Sequence, residues 1–346
     1  MIIDTAVERV DLPLDAAFTI SRGTTETAPQ FVASVTDDLG QTGYGAAAPN
    51  DYYGETPESV AERLPQLLAR ARAVGDPHAQ QRLAREWREL APDEPAARAA
   101  ASIAVHDLAA RQREEPLYRR WGLDPDATPR TSYTVGIGDP DVMAERAADI
   151  VEAGYPILKV KLGTDDDRAR LTAVREAAPD AAIRVDANGA WSPAVAIDAL
   201  DWLAALDVEL LEQPVAGDDV ADLERVRAAS PIPVAADESC VTADDVPTVA
   251  DAVDAVVVKL QKCGGLRPAM DQVATAHAHG LDVMLGCMVE TNASIAAACH
   301  LAPRVEYADL DGSLLLAEDP FTGVDLPDGE IDLGSVVAPG TGVSRP

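Results

Sequence analysis

Lysine is almost missing from this chain of 346 residues, in which four of the 28 basic residues are lysines and the other 24 are arginines. Basic residues of either kind are outnumbered by 59 acidic ones, for a net charge of −31. Such a surface repels nucleic acids and anionic membranes, so neither is predicted as a partner. Excess acid with arginine in place of lysine indicates adaptation to high salt, where screening weakens self-repulsion. An ordinary acidic protein is the alternative.

Signals for export are also lacking. The opening stretch MIIDTAVERVDLPLDAAF has acids where a signal peptide needs a basic region and an apolar core. No apolar run approaches the ~20 residues of a membrane span. The cysteines have no CxxC spacing and are expected to be reduced, mostly buried thiols; they are Cys240, Cys263, Cys287 and Cys299. Together these features predict a cytoplasmic protein without a cysteine metal site.

Short β-like runs recur from about residue 130 onward, at intervals of 22 to 27 residues. They include SYTVGI, ILKVKL, AIRVDA, VELLEQ, PVAADE, VVVKLQ, DVMLGC and EYADLD, and alanine-rich helical stretches separate them. Eight strand-and-helix repeats predict a (β/α)₈-type barrel. An open doubly wound sheet is the alternative, but no glycine-rich phosphate motif follows the first strand.

The rest of the chain has a different pattern. Residues 1–122 combine alternating β-like runs with helical ones and are predicted to form an α+β domain ahead of the barrel. The barrel is assigned to residues 123–315. The loop-rich residues 316–346 are expected to return and pack on the first domain.

Charged residues recur at the predicted carboxyl ends of the barrel strands, where such barrels carry their active sites. The set is Lys161, Asp186, Glu212, Asp237, Lys259 and Asp309. Salt bridges between neighbouring strands are one explanation. The other rests on the three carboxylates at the ends of adjacent strands, which would repel one another without a cation between them. All-oxygen ligands suit Mg²⁺, so a magnesium site is predicted here.

Two of the four lysines stand one residue apart, in ILKVKL. Since residues two apart share a face of a strand, Lys159 and Lys161 should both point into the barrel, while Leu158, Val160 and Leu162 face the helices. Two close ammonium groups near a cation should lower the pKa of a lysine toward neutrality. A lysine of that kind can act as a general base.

These motifs together resemble the enolase superfamily, in its muconate-lactonizing subgroup, over essentially the whole chain. The resemblance rests on KVK, VDANGAW, LLEQP, AADES and VVVKLQKCGG. It implies an N-terminal capping domain, a modified barrel and one Mg²⁺ held by Asp186, Glu212 and Asp237. Lys161 and Lys259 are then the acid/base groups on opposite faces of the substrate, and Lys159 is the electrostatic partner of Lys161. The remaining lysine, Lys262, is expected in a loop outside the chemistry.

The implied reaction is a 1,1-proton transfer at the carbon α to a carboxylate, through an enediolate. The stretch EYADLD narrows the substrate, because Asp309 and Asp311 share a face at the end of the last strand. The pair resembles the Asp-x-Asp motif with which dipeptide epimerases hold the substrate's free α-ammonium. A solvated acidic loop is the alternative. Rival activities are o-succinylbenzoate synthase, N-acylamino acid racemase and muconate cycloisomerase, and a non-catalytic metal-binding scaffold is a rival of another class.

Two N-terminal stretches, FTISRGTTETA and APNDYYGET, resemble the loops that close over the barrel mouth in this superfamily. Arg22 is a candidate for binding an acidic side chain or the terminal carboxylate of the substrate, with a surface acid as its alternative partner. Further candidates are Thr134 for the substrate backbone, Tyr52 and Tyr53 for the pocket wall, and Glu290 near Lys259. The oligomeric state stays open, although members of the superfamily often form dimers or even-numbered rings.

Overall fold

The computed structural model describes residues 1–345, of which the N-terminal part is a three-stranded antiparallel sheet covered by helices. Its strands are β1 (Ile2–Ile20), β2 (Gly23–Asp37) and β3 (Thr42–Ala47), and its helices are α1 (Pro57–Val74), α2 (Gln80–Leu90), α3 (Pro95–Arg111) and α4 (Leu117–Arg120). Helix α3 packs directly on β3, because Gly43 and Gly45 have no Cβ; one built there would lie 2.3 Å from the carbonyl oxygens of Ala104 and Ala100.

The second part is an eight-stranded parallel barrel, as the repeat predicts. Its strands are β4 (Tyr133–Val135), β5 (Ile157–Lys161), β6 (Ala182–Asp186), β7 (Val208–Glu212), β8 (Val234–Ala236), β9 (Ala255–Lys259), β10 (Asp282–Gly286) and β11 (Tyr307–Asp309). Each strand pairs with its neighbours in sequence. A bridge between Thr131 and Ala308 closes the ring. The closed ring excludes the doubly wound alternative.

Helices separate the strands, but the alternation is less regular than predicted. The helices are α5 (Pro140–Glu152), α6 (Asp167–Ala177), α7 (Pro193–Ala205), α8 (Val220–Ala229), α9 (Val246–Val249), α10 (Leu260–Cys263), α11 (Leu266–Ala278) and α12 (Asn292–Cys299). Short 3₁₀ helices occupy Asp51–Tyr53, Ala302–Arg304 and Pro327–Gly329. Within residues 310–345 no α-helix follows β11. The expectation of eight strand-helix repeats is therefore wrong for the last unit, where the chain leaves the barrel to reach the N-terminal domain.

The barrel interior has an apolar layer below a charged one. In β9 the inward positions are Ala255, Val257 and Lys259, and in β7 they are Leu210 and Glu212. The apolar members of these sets form one small cluster in the middle of the barrel. Outward positions such as Val160 join the larger core shared with the helices. Because inward side chains are two residues apart along a strand, the charged side chain at the strand end lies directly above a buried apolar one.

The C-terminal stretch runs back along the N-terminal domain. The amide of Ala317 donates to the carbonyl of Pro13 at 2.9 Å, and that of Thr341 donates to Asp107 Oδ1 at 2.8 Å. Among the residues described, no helix has both the length and the apolar character needed to cross a membrane.

Candidate active site

The charged residues predicted at the strand ends lie at one level of the barrel. Five of the six are the last residues of their strands, and Asp237 follows the last residue of β8. Lys161 is in register with Asp186, and Asp186 with Glu212. On the far side Gly286 of β10 is in register with both Lys259 and Asp309. Parallel pairing thus aligns Lys161, Asp186 and Glu212 on one side of the barrel and Lys259 and Asp309 on the other, and Asp237 follows the strand between Glu212 and Lys259.

A cavity of about 560 Å³ opens above this ring, between the barrel and the N-terminal domain. The predicted site residues that line it are Lys159, Lys161, Lys259, Asp309, Asp311, Thr134, Arg22 and Tyr52. The apolar part of the cavity wall includes Phe18, Met288 and Val289. Asp186, Glu212 and Asp237 do not line it; they are fully buried and contact the lysines that do.

Lys161 and Lys259 stand on opposite sides of the barrel. Three strands lie between β5 and β9 in the ring of eight, so the two are half a turn apart. Lys161 Nζ donates to Asp186 Oδ2 at 2.6 Å, and Lys259 Nζ donates to Asp237 Oδ2 at 2.8 Å. Both side chains are about nine-tenths buried or more. A substrate between them would meet an amine on each face.

Lys159 lies between the carboxylates of Glu212 and Asp309 and is almost wholly buried. Its Nζ donates to Glu212 Oε1 at 2.9 Å and to Asp309 Oδ2 at 2.7 Å. Burial opposes its charge, but the carboxylates of Asp309, Glu212 and Asp186 raise the pKa of Lys159 well above the usual value. Burial likewise opposes the charge of Lys259, and Asp237 raises its pKa. The expected lowering of lysine pKa is thus not found for Lys159, because the carboxylates outweigh the neighbouring ammonium group.

The three carboxylates Asp186, Glu212 and Asp237 suit a hard divalent cation, because they offer oxygen donors and their negative charges are close together. Burial, followed by the nearby Asp186, raises the pKa of Glu212 to about 8. Glu212 Oε2 lies 2.8 Å from Lys159 Nζ, in a geometry that makes no hydrogen bond, and has no other partner. Such crowding of buried acids favours a bound cation.

The same carboxylates are not gathered into a ready-made cluster. Within residues 1–345 no three His, Cys, Asp or Glu side chains are close enough together to hold a metal ion. Asp186 and Asp237 each accept a hydrogen bond from a lysine. The salt-bridge and metal interpretations thus share one set of atoms, and a bound cation would compete with the lysines for the carboxylate oxygens.

Asp309 and Asp311 both lie buried at the end of β11, at the edge of the cavity. Asp309 is occupied on both oxygens, by Lys159 on Oδ2 and by the hydroxyl of Ser132 on Oδ1 at 2.6 Å. Asp311 Oδ2 accepts from the backbone amide of Thr134 at 2.6 Å. Burial, followed by the charge of Asp309, raises the pKa of Asp311 to about 7. The solvated-loop alternative does not describe these side chains.

Arg22 joins the N-terminal domain to the barrel. Its Nη1 donates to Glu238 Oε1 at 2.7 Å and to the carbonyl of Asn188 at 2.9 Å, and its guanidinium lies 4.6 Å from the centre of the Tyr52 ring. Arg22 thus pairs with an acid of the protein, as the alternative held, but this acid, Glu238, is buried rather than on the surface. No role was predicted for Glu238 from the sequence, in which the only signal was its position next to Asp237.

Lys262 does not lie in a loop, as predicted, but on helix α10, where it is fully buried and its Nζ donates to Asp237 Oδ1 at 2.5 Å. Glu290 lies four residues beyond β10 and accepts from Gln261 Nε2 at 2.7 Å and from Ser294. Tyr53 is half-buried in the 3₁₀ helix, and of the two tyrosines only Tyr52 lines the cavity.

Comparison with known proteins agrees with this geometry. The N-terminal domain of the mandelate racemase / muconate lactonizing enzyme family matches residues 2–122, and the enolase C-terminal domain-like family matches residues 142–345. An L-Ala-D/L-Glu epimerase of Bacteroides thetaiotaomicron is 38% identical, over 97% of this chain and 86% of its own length. A hydrophobic dipeptide epimerase of Roseobacter litoralis is 40% identical over 90% of each chain.

Among solved structures, the dipeptide epimerase of Enterococcus faecalis V583 complexed with Mg and the dipeptide L-Leu-L-Tyr superposes with a TM-score of 0.93. It is 34% identical in sequence, and the match covers 99% of both chains. The likeness therefore extends over both domains and the cavity between them.

Proposed function

Since the chain belongs to the mandelate racemase / muconate lactonizing enzyme family of the enolase superfamily, we propose that it is a Mg²⁺-dependent epimerase of dipeptides. The observation that carries the proposal is the placement of Lys161 and Lys259 on strands half a barrel apart, above buried carboxylates. The dipeptide epimerases to which the chain is similar support the same reaction.

The proposed reaction moves a proton at the carbon α to the substrate's carboxylate. When bound to that carboxylate, Mg²⁺ stabilises the negative charge that develops on its oxygens as the proton leaves. Asp186, Glu212 and Asp237 are the residues that would hold the ion.

The two lysines have complementary tasks. One, as a neutral amine, takes the proton from its face of the carbon, and the other, as an ammonium group, returns a proton to the opposite face. Since the carbon is planar between these steps, the configuration inverts. Lys161 serves one epimer and Lys259 the other, and Lys159 acts on Lys161 through Asp186, which lies 3.2 Å from Lys159 Nζ and 2.6 Å from Lys161 Nζ.

The rest of the cavity supplies the proposed contacts to the dipeptide. Asp309 and Asp311 receive its free α-ammonium, because two buried carboxylates at the edge of the cavity form a strong cation site. Thr134, which also lines the cavity, contacts the substrate backbone, and Arg22 contacts an acidic side chain or the terminal carboxylate. The rival substrates of the subgroup lack a free α-ammonium and would bring no positive charge to Asp311, whose described hydrogen-bond partner is the backbone amide of Thr134.

A dipeptide library in D₂O with Mg²⁺ tests the proposal. We expect one deuterium to enter the C-terminal residue, whose α-carbon adjoins the carboxylate, and the L,D epimer to appear from the L,L dipeptide. Mass spectrometry reads the first and chiral separation the second. Omission of Mg²⁺ with added chelator is the control, and N-acetylated dipeptides should react poorly. Absence of exchange throughout the library, with Mg²⁺ shown to be bound, would contradict the proposal.

We also propose that the enzyme is cytoplasmic and adapted to high salt. The net charge of −31 supports the adaptation to salt, because at low ionic strength the folded chain must hold its acids together against their repulsion. The melting temperature should rise on going from low to molar NaCl, and by more than in sucrose of equal osmolality. Size-exclusion chromatography with light scattering would establish the oligomeric state, which is open.

A further inference from the structure

The fourth lysine, Lys262, has no part in the proton transfer proposed above, yet it is completely buried beside the site. It lies one turn beyond the end of β9, on helix α10. Its Nζ donates to Asp237 Oδ1 at 2.5 Å, to the carbonyl of Asp237 at 2.7 Å, to that of Val257 at 2.9 Å and to that of Cys240 at 3.2 Å. One ammonium group thus ties β9 to the exit of β8.

Asp237 is held from two sides in consequence. Lys262 takes Oδ1 and the backbone carbonyl, while Lys259 takes Oδ2 at 2.8 Å. The amide of Asp237 donates to Gln213 Oε1 at 2.9 Å. Of all these polar atoms, only Oδ2 is bonded to a residue that lines the cavity. The contacts therefore turn a single oxygen of Asp237 toward Lys259 and the cavity.

The chemistry of the position favours lysine over arginine. An ammonium group is compact and presents three N–H donors around one atom, whereas a guanidinium is planar and wider. Four oxygens lie within 3.2 Å of this nitrogen, so at least one of the three N–H groups is shared between two acceptors, and a planar guanidinium could not place its nitrogens at that point. Because the chain uses arginine for all 24 of its basic residues outside the four lysines, the lysine at 262 stands out as a requirement of the site.

We propose that Lys262 is a positioning residue of the active site, which holds Asp237 so that Oδ2 is available to Mg²⁺ and to Lys259. This inference rests on the proposed function. Partners behind a metal ligand orient it, and their loss typically weakens metal binding or activity by about 10- to 100-fold. A role in folding alone would instead lower stability and leave the affinity for Mg²⁺ unchanged.

The test compares Lys262→Met with a control that removes another cation paired with a buried aspartate, outside the site. Arg111→Met is matched, because Arg111 donates to the buried Asp107 at 2.9 Å and to the carbonyl of Val343 at 2.6 Å. Circular dichroism gives the fold and the melting temperature of each variant. Titration calorimetry with MgCl₂, in the absence of substrate, gives the dissociation constant.

We expect both variants to melt at lower temperature and only Lys262→Met to bind Mg²⁺ 10- to 100-fold more weakly. Its kcat should recover in part at high Mg²⁺, which a general loss of structure would not produce. A dissociation constant within twofold of wild type in folded Lys262→Met would overturn the proposal. So would a failure of Lys262→Met, Lys262→Gln and Lys262→Arg alike to fold, since Lys262 would then be a determinant of the fold. If wild type itself bound no Mg²⁺, the proposed function would fall first.

Discussion

Lys159 Nζ lies 2.7 Å from Asp309 Oδ2, and this contact joins β5 to β11 inside the barrel. The same ammonium group reaches Glu212 at 2.9 Å. One buried cation thus connects the strand that carries the proposed base, a proposed metal ligand and the proposed ammonium site. A substitution of Asp309 should for this reason slow proton transfer at the reacting carbon, whereas a substitution of Asp311 should mainly weaken substrate binding.

Replacing Asp311 by Asn should raise KM for dipeptides with a smaller effect on kcat. A hydrogen bond to a charged group is worth about 1.5–3 kcal/mol, which corresponds to roughly a 10- to 100-fold change in KM. Asp309→Asn should lower kcat as well, because it also removes a carboxylate partner of Lys159. Steady-state kinetics on L,L dipeptides measure both effects.

N-acetylated dipeptides provide the control for this pair. They carry no ammonium group, so Asp311→Asn should cost them little beyond their poor starting activity. Full activity of both variants on free dipeptides would show that the two aspartates do not hold the substrate, and would favour the rival activities of the subgroup.

Replacing either proposed base by arginine should abolish epimerisation and keep the positive charge. The pKa of a guanidinium, above ~12, prevents it from accepting a proton, and the loss of a general base costs about 10²- to 10⁴-fold in rate. Lys161→Arg and Lys259→Arg should differ in one respect. Each should still exchange deuterium into the epimer whose proton faces the lysine that remains, without inversion.

Deuterium incorporation from pure L,L and pure L,D dipeptides reads this directly. Arg267→Lys, at an exposed ion pair with Asp271, is the control for arginine-lysine exchange and should leave the rate unchanged. If both lysine variants lost exchange from both epimers equally, the assignment of one lysine to each face would be wrong.

The fold and the ring of charged residues were predictable, because both follow from local periods in the chain. Strand runs recur at intervals of 22 to 27 residues, and within each strand the side chains alternate. These two periods are sufficient to place Lys161 and Asp186 at the same level, as their register shows. The strand period alone does not tell whether a helix follows the last strand; the loop-rich composition of residues 316–346 was the signal that the repeat ends there.

Contacts that join distant parts of the chain escaped prediction. Arg22 and Glu238 are 216 residues apart, and no pattern in either stretch marks them as partners. Lys262 was placed in a loop because a strand exit is usually irregular, whereas the chain turns at once into a four-residue helix. The scarcity of lysine was a usable signal for it, as all four lysines surround one set of carboxylates.

Arg22→Met should lower kcat/KM by similar factors for L-Ala-L-Glu and L-Ala-L-Leu. Glu238 already neutralises Arg22 at 2.7 Å, so little of its charge remains to select an acidic side chain. The ratio of the two kcat/KM values is the quantity to measure. Glu238→Gln should shift this ratio toward L-Ala-L-Glu by freeing the guanidinium. A loss confined to L-Ala-L-Glu in Arg22→Met would assign Arg22 to the side chain of the substrate.

Glu55 is a buried carboxyl away from the cavity, and it should make the protein less stable as the pH rises. Its Oε1 accepts from the amide of Ala96 at 2.8 Å, at the start of α3. Burial raises the pKa of Glu55 from 4.5 to about 8. Between those values the folded protein binds a proton that the unfolded chain has lost. The free energy of unfolding therefore falls through that window, by about 1.4 kcal/mol per pKa unit.

Glu55→Gln removes this dependence, because the amide keeps the acceptor and never ionises. We expect the variant to match wild type near pH 4.5 and to be more stable by a few kcal/mol above pH 8, on the order of the shift in pKa. Denaturant unfolding at several pH values measures the difference in free energy of unfolding between the two proteins. The contributions of the other titrating groups are the same in both and cancel in this difference. Glu62→Gln, on the exposed face of α1, is the matched control and should show no such trend. Parallel stability curves for wild type and Glu55→Gln would mean that the pKa of Glu55 is the same in the folded and the unfolded protein, so the amides at the start of α3 would have to offset the effect of burial.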